Sequence, residues 1–179
     1  MRKKATLPSV IAFIVALVGI LSFFIPYASL QDEDHRDSLN EFGEMEVVDD
    51  VDMTLGDMVD PSLFTLTKIY VQGVDSIWNG DEAAYIVGGI YGAIGVFAVL
   101  AALFALARRP ILMLLSDLIM FGAFWFGKIF AEESGVMASY IAPRDWSMGY
   151  YLYYPVAAIL VICAMWMLVA KRMDKKALN

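Results

Sequence analysis

Residues 83–131 read AAYIVGGIYGAIGVFAVLAALFALARRPILMLLSDLIMFGAFWFGKIFA, which is two apolar runs separated by a pair of arginines. A membrane helix needs about 20 mostly apolar residues to cross about 30 Å of hydrocarbon. Each run is that long, and Arg108 and Arg109 leave room only for a tight turn. This stretch therefore predicts a helical hairpin within a membrane.

Two further apolar runs lie at residues 7–28 and 149–170, and the mean hydropathy of the chain is +0.63. Uninterrupted runs of this length do not suit amphipathic surface helices. We predict an all-α integral membrane protein that forms a single four-transmembrane-helix bundle over residues 1–179. Its spans are expected at about 7–28, 83–107, 110–131 and 149–170.

The first run could be a cleaved signal peptide or a lasting anchor, because three basic residues precede it. Its apolar part, Val10 to Ile25, is long and ends in Pro26-Tyr27-Ala28-Ser29 without a clear cleavage site. We expect an uncleaved anchor. Cleavage would leave three spans and would move the new N-terminus outside.

Nine of the 13 basic residues lie at the N-terminus, between the second and third spans, or in the C-terminal tail. By the positive-inside rule, these segments are cytoplasmic. Both termini are therefore expected on the cytoplasmic side of the plasma membrane, and the other two loops on the outer side. The basic ends are expected to meet anionic lipid head groups. The net charge of −7 averages two opposite faces and does not favour nucleic acid as a partner.

The loop at residues 29–82 is expected to be an acidic extracytoplasmic insert with short strands and an amphipathic helix. Residues 31–50 are rich in acids and poor in large apolar residues, so we expect them to be mobile. Val51, Met53 and Leu55 alternate as in a strand.

Asp60-Pro61 looks like the N-cap and first residue of an amphipathic helix that reaches about Gln72. That helix is expected to lie on the membrane or to cap the bundle. Asn79-Gly80-Asp81 is expected to form the turn into the second span.

Small residues form stripes at helical spacing in the first two spans. The candidate helix-packing residues are Ala12, Ala16 and Gly19 in the first span and Gly88, Gly92 and Gly95 in the second. Small residues let helix backbones approach closely in lipid. The stripes are expected to hold the bundle together, although they could also contact another membrane protein or a second copy.

Asp117 and Lys128 are the two ionisable residues within the third span, and both are candidate functional residues. Lys128 lies about 27 Å along the helix from Pro110, so an ion pair with Glu132 at the interface would account for it. Asp117 lies about 10 Å along the helix from Pro110, at a rise of about 1.5 Å per residue. It could make a structural polar contact, be protonated, or face a partner's cation.

No catalytic, cofactor or metal site is predicted. Asp50 and Asp52 begin like a calcium-binding loop, but Leu55 stands where glycine is required and Pro61 where glutamate is required. The single histidine, His35, has no second histidine or cysteine nearby. Cys163 is the only cysteine, so the chain contains no pair that could form a disulfide.

Four spans with both ends inside, a large first outer loop and a small second one resemble the claudin and tetraspan plan. The resemblance covers topology and not motifs, because the first outer loop has only Trp78-Asn79-Gly80 and no cysteine. The chain also resembles small uncharacterised four-span membrane proteins of Gram-positive bacteria, in which the first span ends in a Pro-aromatic pair, here Pro26-Tyr27. Neither likeness implies an activity or a functional residue.

We therefore expect a non-enzymatic accessory or assembly protein of the cell envelope. Its expected partners are membrane lipids and either another protein or further copies of itself, bound through helix faces and the acidic loop. One alternative is a subunit of an ion channel or transporter that uses Asp117. Another is a membrane enzyme acting on lipid through Glu132, Glu133, Arg144 and Asp145.

Overall fold

The computed structural model describes residues 6–48, 51–73, 75, 80, 82–133 and 144–176. Within these ranges the chain forms seven helices and four short strands. The helices are α1 (Thr6–Ser22), α2 (Glu33–Glu41), α3 (Leu55–Val59), α4 (Leu63–Gln72), α5 (Ala83–Leu106), α6 (Pro110–Glu133) and α7 (Met148–Lys176). The strands are β1 (Ala28–Leu30), β2 (Glu46–Val48), β3 (Val51–Thr54) and β4 (Arg144–Trp146).

Three helices, α5, α6 and α7, are long and apolar enough to cross a membrane. They contain 24, 24 and 29 residues, so the two shorter helices are each about 36 Å long. The apolar runs predicted at 83–107, 110–131 and 149–170 are confirmed as long helices. Such helices indicate a membrane protein.

The run predicted as the first span, residues 7–28, is not one continuous helix. Helix α1 has 17 residues, about 25 Å, and ends at Ser22. The amides of Phe23 and Phe24 close the last turn on the carbonyls of Ile20 and Leu21. Pro26 follows, and proline disfavours the helical conformation in the residue before it, so the chain continues in extended form.

Helix α4 follows α1 along the same side of α5. The Phe23 ring at the end of α1 lies against Gly95, where an added Cβ would be 3.1 Å from it. The amide of Phe64, at the start of α4, donates to the Phe23 carbonyl oxygen (3.0 Å). Further toward the beginning of α5, α4 lies against Gly92 and Gly88. Helices α1 and α4 thus cover successive parts of α5.

A two-stranded antiparallel sheet joins the chain after α1 to the chain before α7. Strand β1 pairs with β4 in the register Ala28↔Trp146 and Leu30↔Arg144. On one side of this sheet the Tyr27 amide donates to the Pro61 carbonyl oxygen (2.9 Å). On the other side the Gly149 amide donates to the Pro26 carbonyl oxygen (2.8 Å). The segment after α1, the segment before α4 and the segment before α7 therefore meet next to the end of α1.

The insert between α1 and α5 is more ordered than predicted. Residues 33–41, expected to be mobile, form α2, whose N-cap Asp32 accepts from the Asp34 amide. The strand predicted from Val51 is confirmed as β3, which pairs with β2, but Leu55 begins α3 instead of continuing it. Thr54 and Asp57 form a reciprocal capping box, and this starts the helix there.

The amphipathic helix begins two residues later than predicted. Ser62, not Asp60, is the N-cap of α4, and its hydroxyl accepts from the Thr65 amide (3.1 Å). Asp60 instead forms an ion pair with Arg36 on α2.

Several sequence predictions fall outside the described residues. These are the N-terminal Arg2, Lys3 and Lys4, the acid Asp50, Trp78, and Asn79 and Asp81 of the predicted turn. Gly80 of that turn has a positive φ of 76°, a conformation that glycine adopts without steric cost. Residues 134–143, between α6 and β4, also lie outside the described ranges.

The turn between α5 and α6 is tight and carries Arg108 in the left-handed region at φ 53°. The Arg108 amide donates to the Ala105 carbonyl oxygen, and the Arg109 amide donates to the Phe104 carbonyl oxygen. These two hydrogen bonds are those of a Schellman motif, in which glycine usually occupies the left-handed position. Lys171 of α7 donates to the Arg108 carbonyl oxygen (2.8 Å), which ties α7 to the turn.

We predict that Gly88→Ala lowers the free energy of unfolding by about 1–3 kcal/mol. The added methyl would lie 2.6 Å from Val71 Cγ2 and 3.1 Å from Tyr70 Cβ, so α4 would have to move. Gly89→Ala is the matched control, because an added Cβ at Gly89 meets nothing within 4 Å. The two variants are compared by titrating SDS into protein in a mild detergent and monitoring unfolding by circular dichroism. Equal effects would contradict the packing of α4 on α5.

Candidate functional site

Asp117 lies inside the bundle on the buried face of α6. Its exposed fraction is 1%, and its Oδ1 has no hydrogen-bond partner among the described residues. Met113, Met120 and Phe124 share this face and are fully buried. The site holds a carboxyl group among apolar side chains, where an unpaired charge is expensive.

The parts of α1 and α5 at the same depth in the bundle as Asp117 carry small buried side chains. It is nine residues beyond Arg108, so the hairpin places it about level with Ala98 to Ala102 of α5. Ala98 and Ala101 are buried, as are Ala12 and Ala16 of α1. A hydrogen bond also joins α1 to α5, because the Ser9 hydroxyl donates to the Ala105 carbonyl oxygen (2.6 Å). Asp117 therefore faces its own chain and not the lipid.

Lys128 forms the ion pair that its spacing predicts. Its ammonium nitrogen is 3.3 Å from Glu132 Oε1 and 5.0 Å from the centroid of the Trp125 ring. Both contacts lie on α6, one turn before and one turn after the lysine. These contacts explain how a charged residue is stabilised at the end of the helix.

The candidate packing residues contact other elements of the same chain. Gly88 and Gly92 lie against α4, and Gly95 lies against Phe23. Gly19 lies against Val156 of α7, at 3.1 Å from an added Cβ. Ala12 and Ala16 of α1 are buried in the core. The small faces are thus used for packing within the chain.

Gly149 is a close-contact residue that sequence reasoning missed. An added Cβ there would lie 2.5 Å from the Pro26 carbonyl oxygen. The signal that could have found it is the isolated glycine at the start of a helix beside Trp146 and Tyr150. It lets α7 approach the backbone of the turn after α1.

An aromatic cluster fills the space beside this contact. The Tyr27 ring lies 5.2 Å from Trp146 and 5.8 Å from Tyr150, and Trp146 stacks on Tyr150 at 4.3 Å. Phe124 of α6 reaches the same cluster through Tyr27 and Tyr153. The cluster therefore joins the segment after α1 and the segment before α7 to α6.

Polar and charged contacts occur within the insert between α1 and α5 and between this insert and β4. Arg36 forms an ion pair with Asp60. Burial lowers the pKa of the Arg144 guanidinium, whereas the charge of Asp60 opposes that shift. Gln31 donates to Asp145 Oδ1 (2.6 Å) across the β1–β4 sheet.

These contacts bear on the cluster that sequence analysis proposed for a lipid enzyme. Asp145 is bonded to Gln31, Arg144 lies near Asp60, and Glu132 is bonded to Lys128. The side chain of Glu133 lies outside the described part of the chain. The three described residues are held by different elements, which does not favour a shared reaction centre.

The outer face of α2 and the turn after it form an acidic surface with an apolar tip. The exposed acids are Asp32, Glu33, Asp34, Asp37, Glu41 and Glu44. At the tip, Phe42 is 59% exposed and Met45 is 62% exposed. A crevice of about 500 Å³ lies along residues 40–45. Leu39, on the opposite face of α2, packs on a small core of Leu30 and Val59.

No group of three or more metal-ligating side chains occurs among the described residues. Comparisons of the chain with protein-family models, with curated proteins and with solved structures give no match. The likeness to the claudin and tetraspan plan therefore rests on topology and stays a prediction.

We predict that Asp117→Ala raises the free energy of unfolding by about 1 kcal/mol or more, because it removes a buried polar group whose Oδ1 has no partner among the described residues. Ser9→Ala is the comparison, since it removes a buried hydroxyl that makes a hydrogen bond and should lower the same quantity by about 1 kcal/mol. SDS unfolding of both variants tests the opposite signs. A loss of stability in Asp117→Ala would mean that the carboxyl group has a partner.

Proposed function

We propose that this protein is a non-enzymatic accessory or assembly protein of the cell envelope that presents its acidic outer module to a protein partner. The outer module consists of residues 27–62, from the residue before β1 to the N-cap of α4. The observation that carries the proposal is the attachment of this module to the bundle by strand pairing, backbone hydrogen bonds and aromatic packing. A surface that is held in place in this way is suited to recognition.

The charge and shape of the module indicate the chemistry of the partner. The exposed acids on and beside α2 surround Phe42 and Met45. Arg36, a basic residue on α2, is engaged by Asp60. An apolar tip within a rim of one charge fits a partner with an apolar socket and a basic rim.

The proposal includes four crossings with both termini in the cytoplasm. Helix α1 alone is about 25 Å long, which is short for about 30 Å of hydrocarbon. Helix α4 continues along α5 from the level where α1 ends, and its buried residues Leu63, Leu66 and Tyr70 face the bundle. We propose that α1 and α4 together complete the first crossing, with the rest of the insert outside.

Two alternatives have less support. Asp117 is buried inside its own chain, with an exposed fraction of 1%, so it is poorly placed to line a path between copies. For a lipid enzyme, the polar groups near the second loop are engaged in separate structural contacts. The accessory role requires neither a water-filled path nor a reaction centre.

We predict that a cysteine introduced as Ser38→Cys in a Cys163→Ala background is labelled by a membrane-impermeant maleimide on intact cells. Arg172→Cys in the same background should be labelled only after permeabilisation. Ser38 and Arg172 are both accessible, on α2 and near the end of α7. Labelling of both from the same side would contradict the proposed orientation.

We predict that gentle extraction followed by native mass spectrometry finds a second protein in stoichiometric amount. Phe42→Ser with Met45→Ser should lose this protein, because the pair supplies the apolar tip of the module. The control is Met148→Ser, which removes an apolar side chain that is similarly exposed at the start of α7.

The proposed role would be contradicted by a chain that carries no second protein under these conditions. It would also be contradicted if the Phe42→Ser and Met45→Ser pair kept the partner as well as Met148→Ser does. A complex made only of further copies of this chain would replace the accessory role by self-association.

A further inference from the structure

A second crevice lies at the opposite end of the bundle from the acidic module, between the start of α6 and the end of α7. Its volume is about 520 Å³, and it is lined by Arg109, Pro110, Ile111, Leu112, Leu168 and Lys171. Four of these residues are apolar and two are cationic. The crevice therefore combines an apolar wall with positive charge at the edge of the membrane-crossing helices.

The two cations retain hydrogen-bonding capacity. Lys171 uses one donor on the Arg108 carbonyl oxygen, which holds its ammonium group in position, and an ammonium group has three donors. Arg109 is exposed, and none of the residues lining the crevice is acidic. A guanidinium group has five donors and binds phosphate oxygens in a bidentate manner.

The backbone at the start of α6 has the same preference for negative charge. Pro110 is the first residue of this helix and has no amide hydrogen. The amides of Ile111 and Leu112 belong to the first turn, where an α-helix leaves its N–H groups without intrahelical partners. The partial positive charge of the helix N-terminus adds to that of Arg109 and Lys171.

We propose that this crevice is a binding site for an anionic phospholipid. The phosphate group would lie between Arg109 and Lys171, and an acyl chain would lie along Ile111, Leu112 and Leu168. The inference goes beyond the proposed accessory function, and it requires only that α6 and α7 cross the membrane. A basic pocket between helices at the membrane surface is a known way of binding lipid head groups.

The apolar lining favours a lipid over a free phosphate ion. A free ion would use only the cations and the amides, and it would gain nothing from the four apolar residues. Ile111 is 68% exposed, so its side chain is available to an acyl chain beside the helix.

The test is a titration of delipidated protein with dioleoylphosphatidylglycerol and with dioleoylphosphatidylcholine, read by native mass spectrometry. The wild-type chain should bind the first phosphatidylglycerol about tenfold more tightly than phosphatidylcholine, since two cations contribute. Arg109→Gln with Lys171→Gln should abolish this preference. Leu168→Trp, which fills the crevice and keeps the charges, should weaken the binding of phosphatidylglycerol.

The matched control is Arg108→Gln with Arg172→Gln. This pair removes the same charge from the same end of the bundle, but neither residue lines the crevice. It should keep the preference for phosphatidylglycerol. Arg109→Gln alone keeps the hydrogen bond from Lys171 to Arg108, so it separates lost binding from lost folding if the double variant unfolds.

Three results would overturn the proposal. The first is equal binding of the two lipids by the wild-type chain. The second is an equal loss of preference in the control pair, which would mean a general effect of surface charge. The third is displacement of phosphatidylglycerol by excess inorganic phosphate, which would mean a site for the free anion.

Discussion

The close approach of backbones along one side of α5 is the constraint on which the rest of the structure depends. Gly95, Gly92 and Gly88 are spaced so that first Phe23 and then α4 can lie against the helix. In lipid, association between helices comes from such packing and not from the hydrophobic effect. An added Cβ would lie 2.6 Å from Val71 Cγ2 at Gly88 and 3.1 Å from the Phe23 ring at Gly95, so side chains at these two positions would displace α4 and Phe23. The glycines therefore permit one side of α5 to be covered by two short helices in succession.

The break between α1 and α4 determines where the insert leaves and rejoins the bundle. The chain leaves the bundle after Phe23 and returns at Phe64, and a hydrogen bond joins these two residues. Because the exit and the return are adjacent, the segment between them can fold as one unit without spreading the bundle. Pairing of β1 with β4 then adds the second loop to the same unit. Backbone groups that the broken helix would leave unsatisfied are used in these contacts, as a membrane environment requires.

Much of the long helical structure could be predicted from hydropathy, because apolar runs of about 20 residues are typical of helices that cross a membrane. The Lys128–Glu132 pair also follows from a local spacing of four residues. The β1–β4 sheet could not be predicted in the same way, because it depends on partners that are distant in sequence, such as Trp146 opposite Ala28. The burial of Asp117 was predictable from its depth, but the direction in which it faces was set by the packing of the whole bundle.

The distribution of side-chain sizes indicates where specific recognition can occur. The candidate small residues pack against other parts of the same chain. Large side chains are instead exposed on the outside of the helices, for example Leu17, Leu103, Leu118 and Ile162. Lipid chains cover such side chains as well as another helix would, so this surface gives little selectivity. The charged groups lie mainly at the two ends of the bundle. One end has exposed carboxylates around an apolar tip, and the other has an arginine and a lysine beside a crevice. Selectivity for a partner or a ligand therefore depends on the chemistry of the two ends and not on the lateral surface.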